Sequence, residues 1–170
     1  MKKSNFYLLY SGDKSLLSNE VNKLKKNLNI TSDSIYYDIE NVSDIIVEAS
    51  TIGMFDPYKF IVIDSGSYFL QKSEFDISLL EDYFNNYNTN SYLIFILNSG
   101  SVDSKKKLYK LINDNGTINK LSVTEEYLDT FVRNYIKDNG FTMSNMNIKF
   151  FLGRCNKDID NIKNELDKLM

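Results

Sequence analysis

Residues 43–64 read SDIIVEASTIGMFDPYKFIVID, and the junction in their middle decides how the chain is organised. Ile45, Ile46, Ala49 and Ile52 recur at helical spacing behind a Ser43 cap. Phe60, Ile61, Val62 and Ile63 form a continuous apolar run that reads as a buried strand. The connector carries Gly53, Met54, Phe55, Asp56 and Pro57 where polar turn residues are expected. Two readings of the Met54-Phe55 pair are open at this level. Both side chains pack into the chain's own core, as most large apolar residues do. Alternatively, an aromatic beside a flexible thioether, on a turn bounded by Gly and Pro, is offered to a pocket on a partner.

The same alternation extends outward on both sides. Asn5–Tyr10 (NFYLLY) is a short apolar run, followed after Gly12-Asp13 by a helical stripe of Leu17, Val21, Leu24 and Leu28. Ser34–Ile39 (SIYYDI) reads as a second strand, and KFIVID as the third. Leu79, Leu80, Tyr83 and Phe84 form a stripe behind an Asp76 cap, and Ser91–Leu97 (SYLIFIL) is a fourth strand. Leu108, Leu111 and Ile112 mark a helix stopped by Asn115-Gly116, before a short fifth strand, TINKL. Continuous apolar strands separated by amphipathic helices predict an α/β fold with a parallel five-stranded sheet covered on both faces, over residues 1–121.

The pattern changes after Leu121. Ser122-Val123-Thr124 opens a helix with Leu128, Phe131, Val132, Tyr135 and Ile136 on its apolar face, ended by Asn139-Gly140. A second helix is expected from Ser144 with Met146, Phe150 and Phe151, and a third with Ile159, Ile162, Leu166 and Leu169. Residues 122–170 are therefore expected to form a small helical domain joined by a short hinge. The last helix runs to Met170 without a cap, so the expectation is a fragment of a longer protein.

Composition removes several functional classes. With no histidine among 170 residues, imidazole can be neither ligand nor general base. The one cysteine, Cys155, forms no internal disulfide, makes a zinc site improbable and fits a reducing, cytoplasmic setting. No run is long enough to span a membrane, and the opening MKKSNFYLLYSG lacks a cleavage site, so it reads as a strand and not as a signal peptide. The net charge of -3 gives no general attraction to nucleic acid. The lysine runs Lys23, Lys25, Lys26 and Lys105, Lys106, Lys107 read as solvated helix faces. Lysine greatly outnumbers arginine and Asn, Ile and Tyr are abundant, which reads as the codon bias of an AT-rich genome.

In a sheet of this kind a phosphate cradle belongs at the first strand-to-helix turn. That turn offers Gly12, Asp13, Lys14 and Ser15, with no second Gly and too few residues to wrap a phosphate, and Asp13 sets a negative charge there. The third strand ends in Asp64, the place of a magnesium-holding carboxylate, but Ser65 stands where a catalytic acid is needed. Asp38 and Glu40 after the second strand have no matched partner, and Asn98 after the fourth reads as a turn residue.

In its ordered features the chain resembles the delta subunit of the bacterial DNA polymerase III clamp loader. The features are NFYLLYSGD leading into a helix, EASTIGMFDPYKFIVID, DSKKKLYKLINDNG, and the closing GRCNKDIDNIKNELDKL, in which Gly153, Asp158, Asn164, Glu165, Leu166, Lys168 and Leu169 match the family's pattern. The resemblance implies a RecA-like, AAA+-type domain without a functional P-loop over 1–121, a three-helix lid over 122–170, and a collar domain that is absent here. It implies a subunit that neither binds nor hydrolyses ATP, needs no cofactor or metal, and is not itself an enzyme. The implied task is to bind the sliding clamp (the beta subunit) and open or hold open its ring. Other implied partners are the gamma/tau and delta-prime subunits, with primed DNA met only in the assembled complex, and no membrane. In the family an apolar pair, commonly Leu-Phe, enters a hydrophobic pocket on the clamp; here that position is Met54-Phe55, flanked by Ile52, Gly53 and Pro57. Met for Leu is a departure that nearly conserves volume. Two alternatives stand beside this reading: a nucleotide-dependent ATPase with an atypical phosphate loop, and a DNA-binding module using Lys105 to Lys107.

Overall fold

A computed structural model describes residues 4–53, 57–70 and 76–170. The chain divides into two compact units, Met1–Leu121 and Ser122–Met170. Among the described residues the first contains five strands, β1 (Phe6–Ser11), β2 (Ser34–Asp38), β3 (Lys59–Asp64), β4 (Ser91–Asn98) and β5 (Thr117–Lys120). They form one sheet in the order β2-β3-β4-β1-β5, and every neighbouring pair is parallel. The helices described between them are α1 (Lys14–Asn27), α2 (Val42–Ser50), α3 (Ser78–Asn85) and α4 (Lys107–Asn115). This is the parallel, helix-covered α/β arrangement that the alternation of patterns predicts.

Successive strand residues point to opposite faces, so each apolar strand feeds two cores at once. Phe6, Leu8, Ile61, Ile63, Leu93 and Phe95 are buried beneath α2, α3 and α4, together with Val42, Ile45, Ala49, Leu80, Phe84, Leu108 and Ile112. Tyr7, Leu9, Phe60, Val62 and Ile94 are buried on the opposite face against Leu17, Val21 and Leu24 of α1. Helices on both faces shield the middles of the central strands from water, which is why polar residues there are confined to the strand ends.

Helix boundaries show where local chemistry departs from the periodic pattern. α2 begins at Val42 with Asn41 at its cap position, so Ser43 lies inside the helix and is not the cap. Ile52 falls beyond the helix end and is exposed, so it does not continue the stripe of Ile45 and Ala49. α3 begins at Ser78, and Asp76 acts one residue early by accepting the Ser78 N–H at 2.9 Å. That shift buries Ile77 and turns Leu79 outward, although Leu79 has the spacing of a core residue. α1 ends in a left-handed Asn29, φ 57°, with the Ile30 N–H returning to the Lys25 carbonyl at 3.2 Å.

The second unit contains α5 (Glu125–Asp138), α6 (Asn145–Arg154) and α7 (Ile159–Leu169). Each is capped by a side-chain oxygen on the third helical amide: Thr124 on Tyr127, Ser144 on Asn147, and Asp158 on Asn161. Its core is Leu128, Val132, Ile136, Ile148, Ile159, Ile162 and Leu166. Met146, Phe150 and Leu169, expected on apolar faces, are exposed: Ile148 is the buried residue of α6, and Ile159, Ile162 and Leu166 are those of α7. Phe150 lies instead under the Arg154 guanidinium, 4.3 Å from its ring centre. No helix of the described residues is long and apolar enough to cross a membrane.

Gly116 closes α4 where the chain passes against β1. A Cβ there would lie 2.5 Å from the Phe6 carbonyl oxygen and 2.8 Å from that of Ile112, closer than van der Waals contact allows. Backbone oxygens cannot swing aside as a flexible side chain can. Gly116→Ala is therefore expected to lower stability by about 1–3 kcal/mol through overpacking, read as a lower denaturant midpoint, whereas an unchanged midpoint would contradict this packing.

Candidate functional site

The segment joining α2 to β3 has both of its stems fastened. Ser91, the first residue of β4, donates its Oγ–H to the Ala49 carbonyl at 2.7 Å. The same carbonyl accepts from the Tyr83 hydroxyl at 3.2 Å and the Asn88 side-chain amide at 3.3 Å. Burial pushes the Tyr83 phenol above the ordinary tyrosine range. One turn of helix end is thus held by three side chains from α3, its following loop and β4.

Lys59, the first residue of β3, holds the neighbouring carbonyl. Its ammonium donates to the Glu48 carbonyl at 2.8 Å, the Glu48 carboxylate at 2.5 Å and the Thr51 hydroxyl at 2.6 Å. The three protons of the ammonium are matched by three oxygens. The side chain is only 11% exposed. α2 has no basic residue in its own last turn, so Lys59 supplies from the next strand the positive charge that the C-terminal end of a helix favours. In the sheet Lys59 sits directly opposite Ser91, and both side chains reach the last turn of α2. Further along, the Tyr58 carbonyl accepts from Ser32 Oγ at 2.9 Å, and the Lys59 N–H donates to the Asn90 carbonyl at 2.9 Å.

Between these fastened stems the chain exposes apolar surface. Ile52 is 73% exposed, Tyr58 is exposed, and Val47 on the last turns of α2 is exposed as well. Gly53 is half-buried and Pro57 exposed. Met54 and Phe55 lie outside the described residues. Sequence reasoning missed Lys59, Thr51 and Ser91. The available signal was a lysine opening a strand whose next four residues are apolar, after a helix that lacks its own C-terminal base.

The first strand-to-helix turn is built differently. Asp13 caps α1, its carboxylate accepting the Leu16 N–H at 2.9 Å while its carbonyl accepts the Leu17 N–H at 3.2 Å. Its own N–H donates to Ser11 Oγ at 3.1 Å, which closes the turn on itself. The anion that such a helix end attracts is therefore the chain's own carboxylate. Lys14 and Gly12 are exposed and Ser15 half-buried. Gly12 passes close to Gly100, whose amide would be 3.8 Å from an added Cβ.

The other acidic positions are structural. Asp64 accepts the Gly66 N–H at 2.9 Å in a turn where Gly66 adopts φ 48°. Ser65 is fully buried, its Oγ without a hydrogen-bond partner, while its backbone N–H donates to the Ile96 carbonyl at 2.9 Å. Asp38 closes a turn through its carbonyl to the Asn41 N–H, Glu40 is exposed, and Asn98 ends β4 opposite Ser11. Among the described residues no three carboxylates or thiols gather to hold a metal ion. In the helical unit a groove of about 730 Å³ carries Glu125, Asp129, Arg133 and Lys157. Its charges are paired: the hydrogen bond from Arg133 holds Asp129 below the usual carboxylate range, and that from Lys157 does the same for Glu125. In the Lys105–Lys107 run, Lys106 lies 5.0 Å from the Tyr68 ring centre and Lys107 pairs with Glu81 at 2.6 Å.

Comparison with known proteins places the chain in a family. A family model described as "DNA polymerase III, delta subunit" matches residues 4–122. Among solved structures the chain is similar to the Bacillus subtilis DNA clamp loader delta protein (YqeN), with a TM-score of 0.69 at 19% sequence identity. That likeness covers 97% of this chain and 52% of the other, so the chain spans about half the length of the relative. No curated protein sequence matches. With the family model covering well over half of its residues, the chain belongs to the DNA polymerase III delta subunit family.

Proposed function

We propose that this chain binds the ring-shaped sliding clamp through the segment between α2 and β3, and that it serves in a clamp loader to open or hold open the ring. The observation that carries the reading is the exposure of Ile52 beside a fastened helix end: an apolar side chain is held in water at a fixed place, as a docking anchor requires. Met54 and Phe55 are the proposed principal anchors, with Ile52, Gly53 and Pro57 flanking them. Burying one Met and one Phe contributes about 3–5 kcal/mol before association costs, enough to separate micromolar from millimolar binding.

In this reading residues 1–121 are a RecA-like domain without nucleotide, and residues 122–170 are the lid. Its partners are the clamp and the gamma/tau and delta-prime subunits, with primed DNA met through the assembly. The chain is not an ATPase, because the Asp13 carboxylate takes the helix end that a phosphate would need. The DNA-binding alternative is disfavoured by the engagement of Lys106 and Lys107 within the chain.

Two experiments test the parts separately. ATP with magnesium at a hundred times any relevant dissociation constant would stabilise a binding protein by about 2.7 kcal/mol. Here the melting temperature is expected to stay unchanged, and a rise abolished by Lys14→Ala would contradict the reading. Phe55→Ala is expected to weaken clamp binding by about 2 kcal/mol or more, as for an interfacial aromatic. Its denaturant midpoint is expected to stay near the parent's, since an anchor that docks on a partner is not part of the chain's own core and leaves no cavity there when truncated. A residue of the chain's own core would instead cost about 3 kcal/mol or more of stability. A destabilised variant that binds the clamp normally when folded removes this site from the proposal.

A further inference from the structure

We propose that Lys59 is a positioning residue for clamp docking: by fastening the last turn of α2 to the first residue of β3, its ammonium sets the geometry in which the intervening segment is presented. The inference rests on the docking reading above and deepens it. α2 is nine residues long, too short to hold its own last turn in water without outside support. The final carbonyls of a helix have no partner within it. Here the Glu48 carbonyl is taken by Lys59 and the Ala49 carbonyl by Ser91, Tyr83 and Asn88. The Thr51 hydroxyl accepts from Lys59 at 2.6 Å and donates to the Glu48 carbonyl at 3.1 Å, so the clasp includes the residue immediately before Ile52.

The two sets of contacts have different reach. Ser91, Tyr83 and Asn88 hold α2 to the rest of the unit, and their loss would loosen the core. Lys59 holds the two stems of one segment to each other, and it does so at the margin of the core, where Glu48 remains 29% exposed. Without it the backbone from Thr51 onward gains freedom that the bound state must then remove, and that ordering cost appears as weaker binding. The geometry therefore separates a residue that touches the partner from one that fixes those that do.

The test is a double-mutant cycle in clamp titrations of the parent chain, Lys59→Met, Phe55→Ala and the double variant, with the binding-competent fraction read from the stoichiometry. Lys59→Met is expected to raise Kd about tenfold in the parent and less than about twofold when Phe55 is already Ala, because positioning is worth nothing without the anchor. Amide exchange in the free Lys59→Met chain is expected to accelerate at Thr51, whose N–H donates to the Val47 and Glu48 carbonyls, and to stay unchanged at Phe60–Ile63. A Kd equal to the parent's, or an equal loss in both backgrounds, would overturn the inference and leave Lys59 a purely structural residue. Should Lys59→Met fail to fold, Glu48→Gln removes the carboxylate and keeps the carbonyl and hydroxyl acceptors. It is expected to raise Kd about threefold, again only with Phe55 present, and an unchanged Kd overturns the inference equally. Phe55→Ala binding as tightly as the parent would bring down the docking reading and this inference together; weak binding by Phe55→Ala with unaltered Lys59→Met would bring down this inference alone.

Discussion

The last turn of α2 is held by the first residues of two neighbouring strands, and this constraint ties the sheet to the segment beyond it. Lys59 and Ser91 face each other at the start of β3 and β4, and their side chains reach two successive carbonyls of the same helix end. Tyr83 and Asn88 add donors to the second carbonyl, so α2, α3, β3 and β4 meet at one polar node. The buried residues Ile45, Ile61, Leu80 and Leu93 supply the apolar support around it. The hydrogen bonds contribute direction as well as energy, because a carbonyl placed in that core without a donor would cost about 1–3 kcal/mol.

In a parallel sheet the position of this node has a consequence for function. It lies at the amino ends of β3 and β4, whereas ligands of doubly wound sheets bind beyond the carboxyl ends. At the carboxyl end of β1 the α1 N-terminus is satisfied by Asp13, and at that of β3 the Asp64 carboxylate is used by the Gly66 amide. Both places where a nucleotide enzyme concentrates its chemistry are thus given over to holding loops. What is exposed and apolar on the α2–β3 side, Val47, Ile52 and Tyr58, is at the opposite edge of the sheet. Under the proposed function, a fold common among nucleotide-binding domains serves as a scaffold for docking a protein.

Much of the scaffold was legible in the sequence because burial on two faces forces continuous apolar strands, and β1, β3 and β4 have them. The same reasoning failed where a residue keeps the right spacing but stands at a boundary. Ile52 repeats the stripe of Ile45 and Ala49, yet the helix has ended before it, and Leu79 turns outward because α3 starts two residues after Asp76. Met146, Phe150 and Leu169 are exposed because a three-helix unit needs only one seam per helix. The helix openings at Ser122-Val123-Thr124 and at Ser144 were legible, and Thr124 and Ser144 are the caps there, whereas Ser43, read as a cap, lies inside α2. The clasp was not legible at all: Lys59 looks like the polar margin of a strand, and its three partners are set by a tertiary contact that no spacing encodes. Met54 and Phe55, singled out from the sequence, remain a proposal argued from the residues on either side of them.

The most direct measurement is a hydrogen-exchange footprint of the sliding clamp on this chain, recorded free and at saturating clamp. The account predicts slowed exchange in peptides spanning residues 50–58, with Gly12–Ser15 and Lys105–Lys107 unchanged. Protection confined to either of those two segments, with residues 50–58 exchanging as in the free chain, would contradict it.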